Sequence, residues 1–266
     1  MTTVDLRTLL TTFIPVGPLP HHIEPSRDGR TIFVSLASHT PTVGAPQLAA
    51  IDTEDDTVSY ITTSANPAAR SHGPHPSLDG DTVFVAHDIG NAVTGVDLET
   101  GAIDPVVGPI LRAEEVVPTR FGRLLWASAR GDNTVKRIDL GTGTITASIA
   151  VGTQPESVML TPSERTLAVS LRGSPASLSF VDTIGLSLIE TVRISDDDNT
   201  FGDLAVMSED GRFVYATFDA LAGGTGGVAV VDVRTRTVVS RWSYPGHGRP
   251  HGIWLSRKKL HEEREH

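Results

Sequence analysis

An all-β chain, folded as a β-propeller of four-stranded antiparallel blades, is predicted by three observations. A turn pair followed by an apolar run returns five times: at Asp28-Gly29-Arg30, Asp79-Gly80-Asp81, Phe121-Gly122-Arg123, Ser163-Glu164-Arg165 and Asp210-Gly211-Arg212. Measured at the central residue, the spacings are 51, 42, 42 and 47, close to the roughly 40–45 residues of a unit that buries its faces only against its neighbours. Each copy then carries a second run ending in an aliphatic residue and an aspartate: Ile51-Asp52, Val96-Asp97, Ile138-Asp139, Val181-Asp182 and Val231-Asp232. The runs alternate with period two, as in Thr144-Ile145-Thr146-Ala147-Ser148-Ile149, which is the strand pattern. No helical pattern precedes the last ten residues.

Taken in order, the sequence predicts one domain over 1–256, with blades at about 21–62, 72–107, 113–150, 156–193 and 203–241. Residues 11–16 repeat the outer-strand pattern of Ser148 to Pro155 and are expected to form a closing strand with no earlier strand in front. Residues 251–256 open a blade, and 257–266 form a charged tail. The two terminal strands are expected to share an incomplete closing blade, for whose middle strands no sequence is left. Closure is what removes sheet edges in such folds. Three alternatives stay open: a rudimentary closing blade, a shortened copy of a longer propeller, or association with a partner through the incomplete blade.

The recurring aspartates read as structural. A carboxylate where a strand enters a hairpin turn accepts backbone N–H groups two residues on, a role needed once per blade. The Asp-Gly pairs read the same way, since a tight turn needs a residue that tolerates positive φ.

The chain carries a formal charge of −10 and shows no basic stripe, so nucleic acid and anionic membrane are not expected as partners. Cysteine is absent, which removes thiolate chemistry and disulfides and leaves the compartment open. The N-terminus has an early acid and no long apolar core, so no secretory signal is visible and a cytoplasmic location is expected, with export open should the N-terminus be incomplete. Gly223-Gly224-Thr225-Gly226-Gly227 lacks the helix and lysine of a nucleotide loop. Trp126, Trp242 and Trp254 read as packing residues.

Pro250-His251-Gly252-Ile253, Pro76-Ser77-Leu78-Asp79-Gly80, Phe84-Val85-Ala86-His87 and Asn133-Thr134-Val135-Lys136-Arg137-Ile138-Asp139 resemble the blade of the YVTN-type repeat family, among the quinoprotein amine dehydrogenase-like and WD40-like propellers. The resemblance covers about residues 11–256. It implies the fold and leaves the activity open, because function resides in sites grafted on folds.

One column of residues does not read as structural. Eight positions before each turn residue stand His21, His72, Glu114, Glu156 and Asp203, and the matching register adds His251. In a propeller these positions open the innermost strands at one mouth of the channel, so six histidines and carboxylates are expected to converge there. That set suits a divalent metal ion or an acid–base cluster. His22, His39, His87 and His247 are expected on the same side, with His75 slightly deeper.

The function expected is a binding module that holds a small ligand, ion or protein partner at this mouth. The alternative is a metal-dependent lyase or lactonase-like hydrolase, similar in layout to the virginiamycin B lyase family. In that reading His72, His251 and Glu156 are the catalytic candidates, and the histidines, Glu114, Glu156 and Asp203 hold the cation or orient its water. A protein-interaction scaffold using the incomplete blade is the third reading.

Overall fold

A computed structural model of the protein describes residues 1–4, 8–37, 47–66, 68–220, 225–244 and 253. Among the described residues every regular element is a strand, and no helix is long and apolar enough to cross a membrane. The chain divides into two compact units, Met1–Ser148 and Ile149–His266.

The first unit begins with a hairpin of β1 (Thr2–Val4) and β2 (Thr11–Phe13), which pair antiparallel. This corrects the expectation of an N-terminal strand without a predecessor. Three β-branched residues, Thr2, Thr3 and Val4, are too short a run to show alternation, yet they supply the pairing edge. Three sheets follow, each in sequential antiparallel order. They are β3 (Pro20–Pro25), β4 (Thr31–Leu36), β5 (Leu48–Asp52) and β6 (Val58–Ile61); β7 (Arg70–Pro76), β8 (Thr82–Ile89), β9 (Ala92–Asp97) and β10 (Ile103–Val107); then β11 (Ala113–Pro118), β12 (Leu124–Ala129), β13 (Thr134–Asp139) and β14 (Thr144–Ala150).

The second unit holds two more sheets of the same order: β15 (Pro155–Leu160), β16 (Thr166–Leu171), β17 (Ser177–Asp182) and β18 (Ser187–Arg193); then β19 (Thr200–Met207), β20 (Phe213–Ala220), β21 (Gly226–Asp232) and β22 (Thr237–Tyr244). Five four-stranded, up-and-down sheets are five propeller blades. Of the expected opening strand at 251–256, only Ile253 lies within the described residues, and the tail at 257–266 lies outside them.

Alternation fixes which residues fill which layer. In β5, Leu48 and Ala50 join Phe33, Val83, Val85 and Val96 in the core between the first two blades, whereas Ala49 and Ile51 face the opposite way onto Val34, Leu36, Ile14 and Val16. Phe84, Ala86 and Val93 of the second blade meet Leu125, Ala127 and Ile138 of the third. Within the second unit, Leu178 and Phe180 pack on Val214, Ala216, Phe218 and Val231. Full burial of each large side chain of this kind contributes about 1.5–3 kcal/mol. A register slip of one residue would turn these layers outward, so the apolar pattern pins the pairing.

Turn chemistry follows the aspartates. Asp52 accepts the N–H of Glu54 at 2.7 Å, Asp97 those of Glu99 and Thr100, Asp139 that of Thr142, Asp182 those of Ile184 and Gly185, and Asp232 that of Thr235. At the other hairpin, Gly29, Gly80, Gly122 and Gly211 have φ of 72°, 86°, 62° and 70°, and Glu164 takes the same left-handed position at 57°.

Candidate functional site

The expected column has a backbone cause. In every inner strand two residues face one residue of the next strand, a β-bulge. Pairing jumps from Pro20 and Leu36 to Ile23 and Val34, from Ser71 and His87 to Pro74 and Val85, from Ala113 and Ala129 to Val116 and Ala127, from Pro155 and Leu171 to Val158 and Val169, and from Gly202 and Phe218 to Ala205 and Ala216. The residues looped out are His21-His22, His72-Gly73, Glu114-Glu115, Glu156-Ser157 and Asp203-Leu204. A bulge leaves polar backbone off the ladder and re-aims a side chain. The residue opposite is Ser35, Ala86, Ser128, Ser170 or Thr217. Ser35, Ser128 and Ser170 accept the N–H groups of His22, Glu115 and Ser157 at 2.9, 3.0 and 2.9 Å, and Thr217 donates to the Leu204 carbonyl at 2.9 Å.

Within the first unit the bulges bring His21, His22, His72 and Glu114 together. The three imidazoles have centroids 4.6 Å (His21 to His22), 4.7 Å (His21 to His72) and 4.3 Å (His22 to His72) apart. Their ligand nitrogens lie within 4.8 Å of one another, with His22 and His72 buried and His21 exposed. His72 Nδ1 lies 3.0 Å from the Glu114 carbonyl, an acceptor only, so Nδ1 carries a proton. The other ring nitrogen, Nε2, stands 2.9 Å from Oε2 of the buried Glu114 carboxylate. His22 Nδ1 stands 3.4 Å from Glu115 Oε1.

Arginines complete the electrostatics. Arg130 Nη1 donates to Glu114 Oε1 at 2.9 Å, and Arg112 Nη2 lies 3.8 Å from the same oxygen. Burial works against the Glu114 carboxylate, but His72 and Arg130 outweigh it and bring its pKa down to about 2. Arg70 and the buried Asp88 form a two-point ion pair beside this region, with Arg70 Nε donating at 2.8 Å.

In the second unit the same register places Glu156 and Asp203, both buried, around one guanidinium. Arg172 Nη1 is 3.6 Å from Glu156 Oε1 and 3.8 Å from Asp203 Oδ1. Thus His21, His72 and Glu114 meet in one unit and Glu156 meets Asp203 in the other, while His251 lies outside the described residues, as do His39 and His247. Of the catalytic candidates, His72 belongs to the histidine cluster and Glu156 to the Arg172 pair.

One expectation about the surrounding histidines changes. His87 sits inside β8, which runs to Ile89, and its Nε2 bonds the Thr94 hydroxyl at 2.9 Å. Burial pushes its pKa down to about 4; it is a core residue rather than part of a loop. His75 pairs across from Phe84, its Nδ1 3.0 Å from the Pro76 carbonyl. Trp126 is buried, whereas Trp242 is half exposed and stacks on Tyr215.

Sequence reasoning missed His22 as a member of the cluster and missed the arginines. The arginines had a signal: sixteen residues beyond each column position stand Ala37, Asp88, Arg130, Arg172 and Asp219, where the second strand ends. Acid at the bulge with arginine at this second position recurs as Glu114 with Arg130 and Glu156 with Arg172.

Among solved structures, the chain is similar to hydrazine synthase of Kuenenia stuttgartiensis (TM-score 0.73, 19% identity, covering 86% of this chain and 66% of that one). It is also similar to the Dos1 propeller (0.67, 13%, covering 88% and 64%) and to a functionally unknown protein from Desulfotomaculum acetoxidans DSM 771 (0.70, 16%, covering 94% and 78%). The chain spans 66% and 64% of the length of the first two. At these identities the likeness shows the fold alone, which is that of a β-propeller. No protein-family model matches the chain, and no curated protein matches it.

Proposed function

We propose that this chain is a binding module of the YVTN-repeat type that holds a small ligand or ion on the bulged ends of its inner strands. The fold supports a generic binding or scaffold role. The YVTN reading draws on the motif residues Pro76 to Gly80 and Asn133 to Asp139.

The observation that carries the binding reading is the concentration of chemistry on one backbone irregularity. The bulge recurs in the same register in five blades and carries histidine or carboxylate each time. A purely structural bulge needs no ionisable side chain; its backbone is answered in three blades by the opposing serine. Buried carboxylates and imidazoles are costly to desolvate, and positions that retain them are functional candidates. In the first unit they gather three imidazoles, a buried carboxylate and two guanidinium groups around one point.

The test is thermal unfolding of the tag-free protein against a panel of divalent cations and small carboxylates and phosphates. A ligand held only by the folded state adds about 2.7 kcal/mol at a hundredfold excess over its Kd. At least one member should raise the Tm of the native protein and fail to raise that of His72→Ala combined with Glu114→Gln. If no member of the panel separates the two proteins, the scaffold reading replaces this one.

A further inference from the structure

We propose that His21, His22 and His72 together coordinate one divalent transition ion of the zinc, nickel, cobalt or copper class. This deepens the binding reading above and rests on it.

Three imidazoles from two adjacent inner strands, β3 and β7, are brought within reach of a single centre. Their ligand nitrogens lie within 4.8 Å of one another. Bonds of about 2.0–2.1 Å in tetrahedral geometry place such nitrogens about 3.4 Å apart, so modest rotation of the rings closes the set. The rings are tilted by 40°, 55° and 50°, not stacked flat.

The outer contacts are those that fix a ligating imidazole. His72 Nδ1 donates to the Glu114 carbonyl, which makes Nε2 the ligating nitrogen, and a proton shared there with Glu114 is released to solvent when the ion binds. His22 Nδ1 faces the Glu115 carboxylate at 3.4 Å. Oxygen partners behind the ring set its tautomer and raise its basicity. His72 Nε2 also lies 2.9 Å from the buried Glu114 Oε2, so a carboxylate stands beside the proposed ligand nitrogen. Imidazole donors select the borderline transition ions over calcium or magnesium, which take oxygen ligands. His21, the exposed member, leaves the ion an approach from solvent.

The experiment uses full-length protein without a polyhistidine tag, stripped of metal and titrated with Zn(II) by calorimetry and with Co(II) by visible spectroscopy. One ion per chain is expected, with ligand-field bands of a low-coordinate nitrogen site. His21→Ala and His72→Ala should each weaken binding at least tenfold, and His75→Ala should not. Glu115→Gln should weaken it by about 10–100-fold. His21 is exposed, so its variant keeps the test sound if His72→Ala fails to fold. No saturable binding, or binding indifferent to His21→Ala and His72→Ala, overturns the metal proposal. A non-metal ligand whose binding is lost in His72→Ala with Glu114→Gln would overturn it while leaving the binding module standing.

Discussion

Ser35 accepts the backbone N–H of His22 at 2.9 Å, across the point where two residues of β3 face one of β4. Ser128 with Glu115 and Ser170 with Ser157 repeat the bond thirteen residues apart. Each of these serines takes the place of the missing ladder partner in its blade, whereas the β7 bulge stands opposite Ala86. Removing a buried acceptor leaves its donor unsatisfied, at about 1–3 kcal/mol. Ser35→Ala and Ser170→Ala are expected to lose that much each in urea unfolding, and a loss below the error of the measurement would count against the hydroxyl's role.

Gly73 is required by a close approach. A Cβ there would lie 2.6 Å from Glu115 Cγ and 2.8 Å from the Glu114 carbonyl oxygen. Gly73→Ala must therefore push β11 away from β7 and displace the very groups that contact His22 and His72. Overpacking of this kind costs about 1–3 kcal/mol. Calorimetry should show a lowered Tm, and ligand affinity measured below that Tm should fall as well.

Arg130 and Glu114 form a buried, charge-assisted pair at 2.9 Å. Cutting one partner from such a pair costs about 3–5 kcal/mol, because the other charge is left in low dielectric. Arg130→Met is expected to be strongly destabilised, and Arg130→Met with Glu114→Gln less so than the sum of the single changes. A double-mutant cycle on unfolding free energies reads this coupling directly; additivity would mean that the two charges do not act as a unit.

Acid should act in two windows. His87 has an ordinary value of 6.5 and a folded value of about 4, set by burial. Above the first pH neither state holds the proton; between the two the unfolded chain binds it and the folded chain does not. Stability therefore falls as pH drops through that window, by about 3 kcal/mol in total at about 1.4 kcal/mol per unit. Asp97, Asp182 and Asp232 have folded values below the ordinary carboxylate range, chiefly because backbone N–H groups bond their anions. Their contribution is present above the ordinary value and is lost as pH falls through the lowered ones. Urea unfolding from pH 7 to 3 should show His87→Leu flattening the upper window, and Asp182→Asn the lower one alone.

The strands, their blade grouping and the turn chemistry were legible in the sequence because each is local. Phe33-Val34 or Leu48-Ala49-Ala50-Ile51 declares its two faces by alternation, and Asp97 finds its N–H partners within three residues. The register of His21, His72, Glu114, Glu156 and Asp203 was legible too, since a repeated strand places equivalent residues at equal distances from the turn. The hairpin of Thr2–Val4 with Thr11–Phe13 was not, because runs of three residues carry no period.

Tertiary structure alone decided what those columns do. That His22 joins His21 and His72 follows from a two-against-one pairing, which exists only once both strands are in register. That His72 meets Glu114, 42 residues on, follows from two blades packing face to face. That Arg130 and Arg172 answer Glu114 and Glu156 depends on where the second strand ends, and that His87 is a core residue depends on β8 running to Ile89. Periodicity along a chain encodes which face a residue takes; it carries no record of which charges from different strands are left sharing one volume of low dielectric.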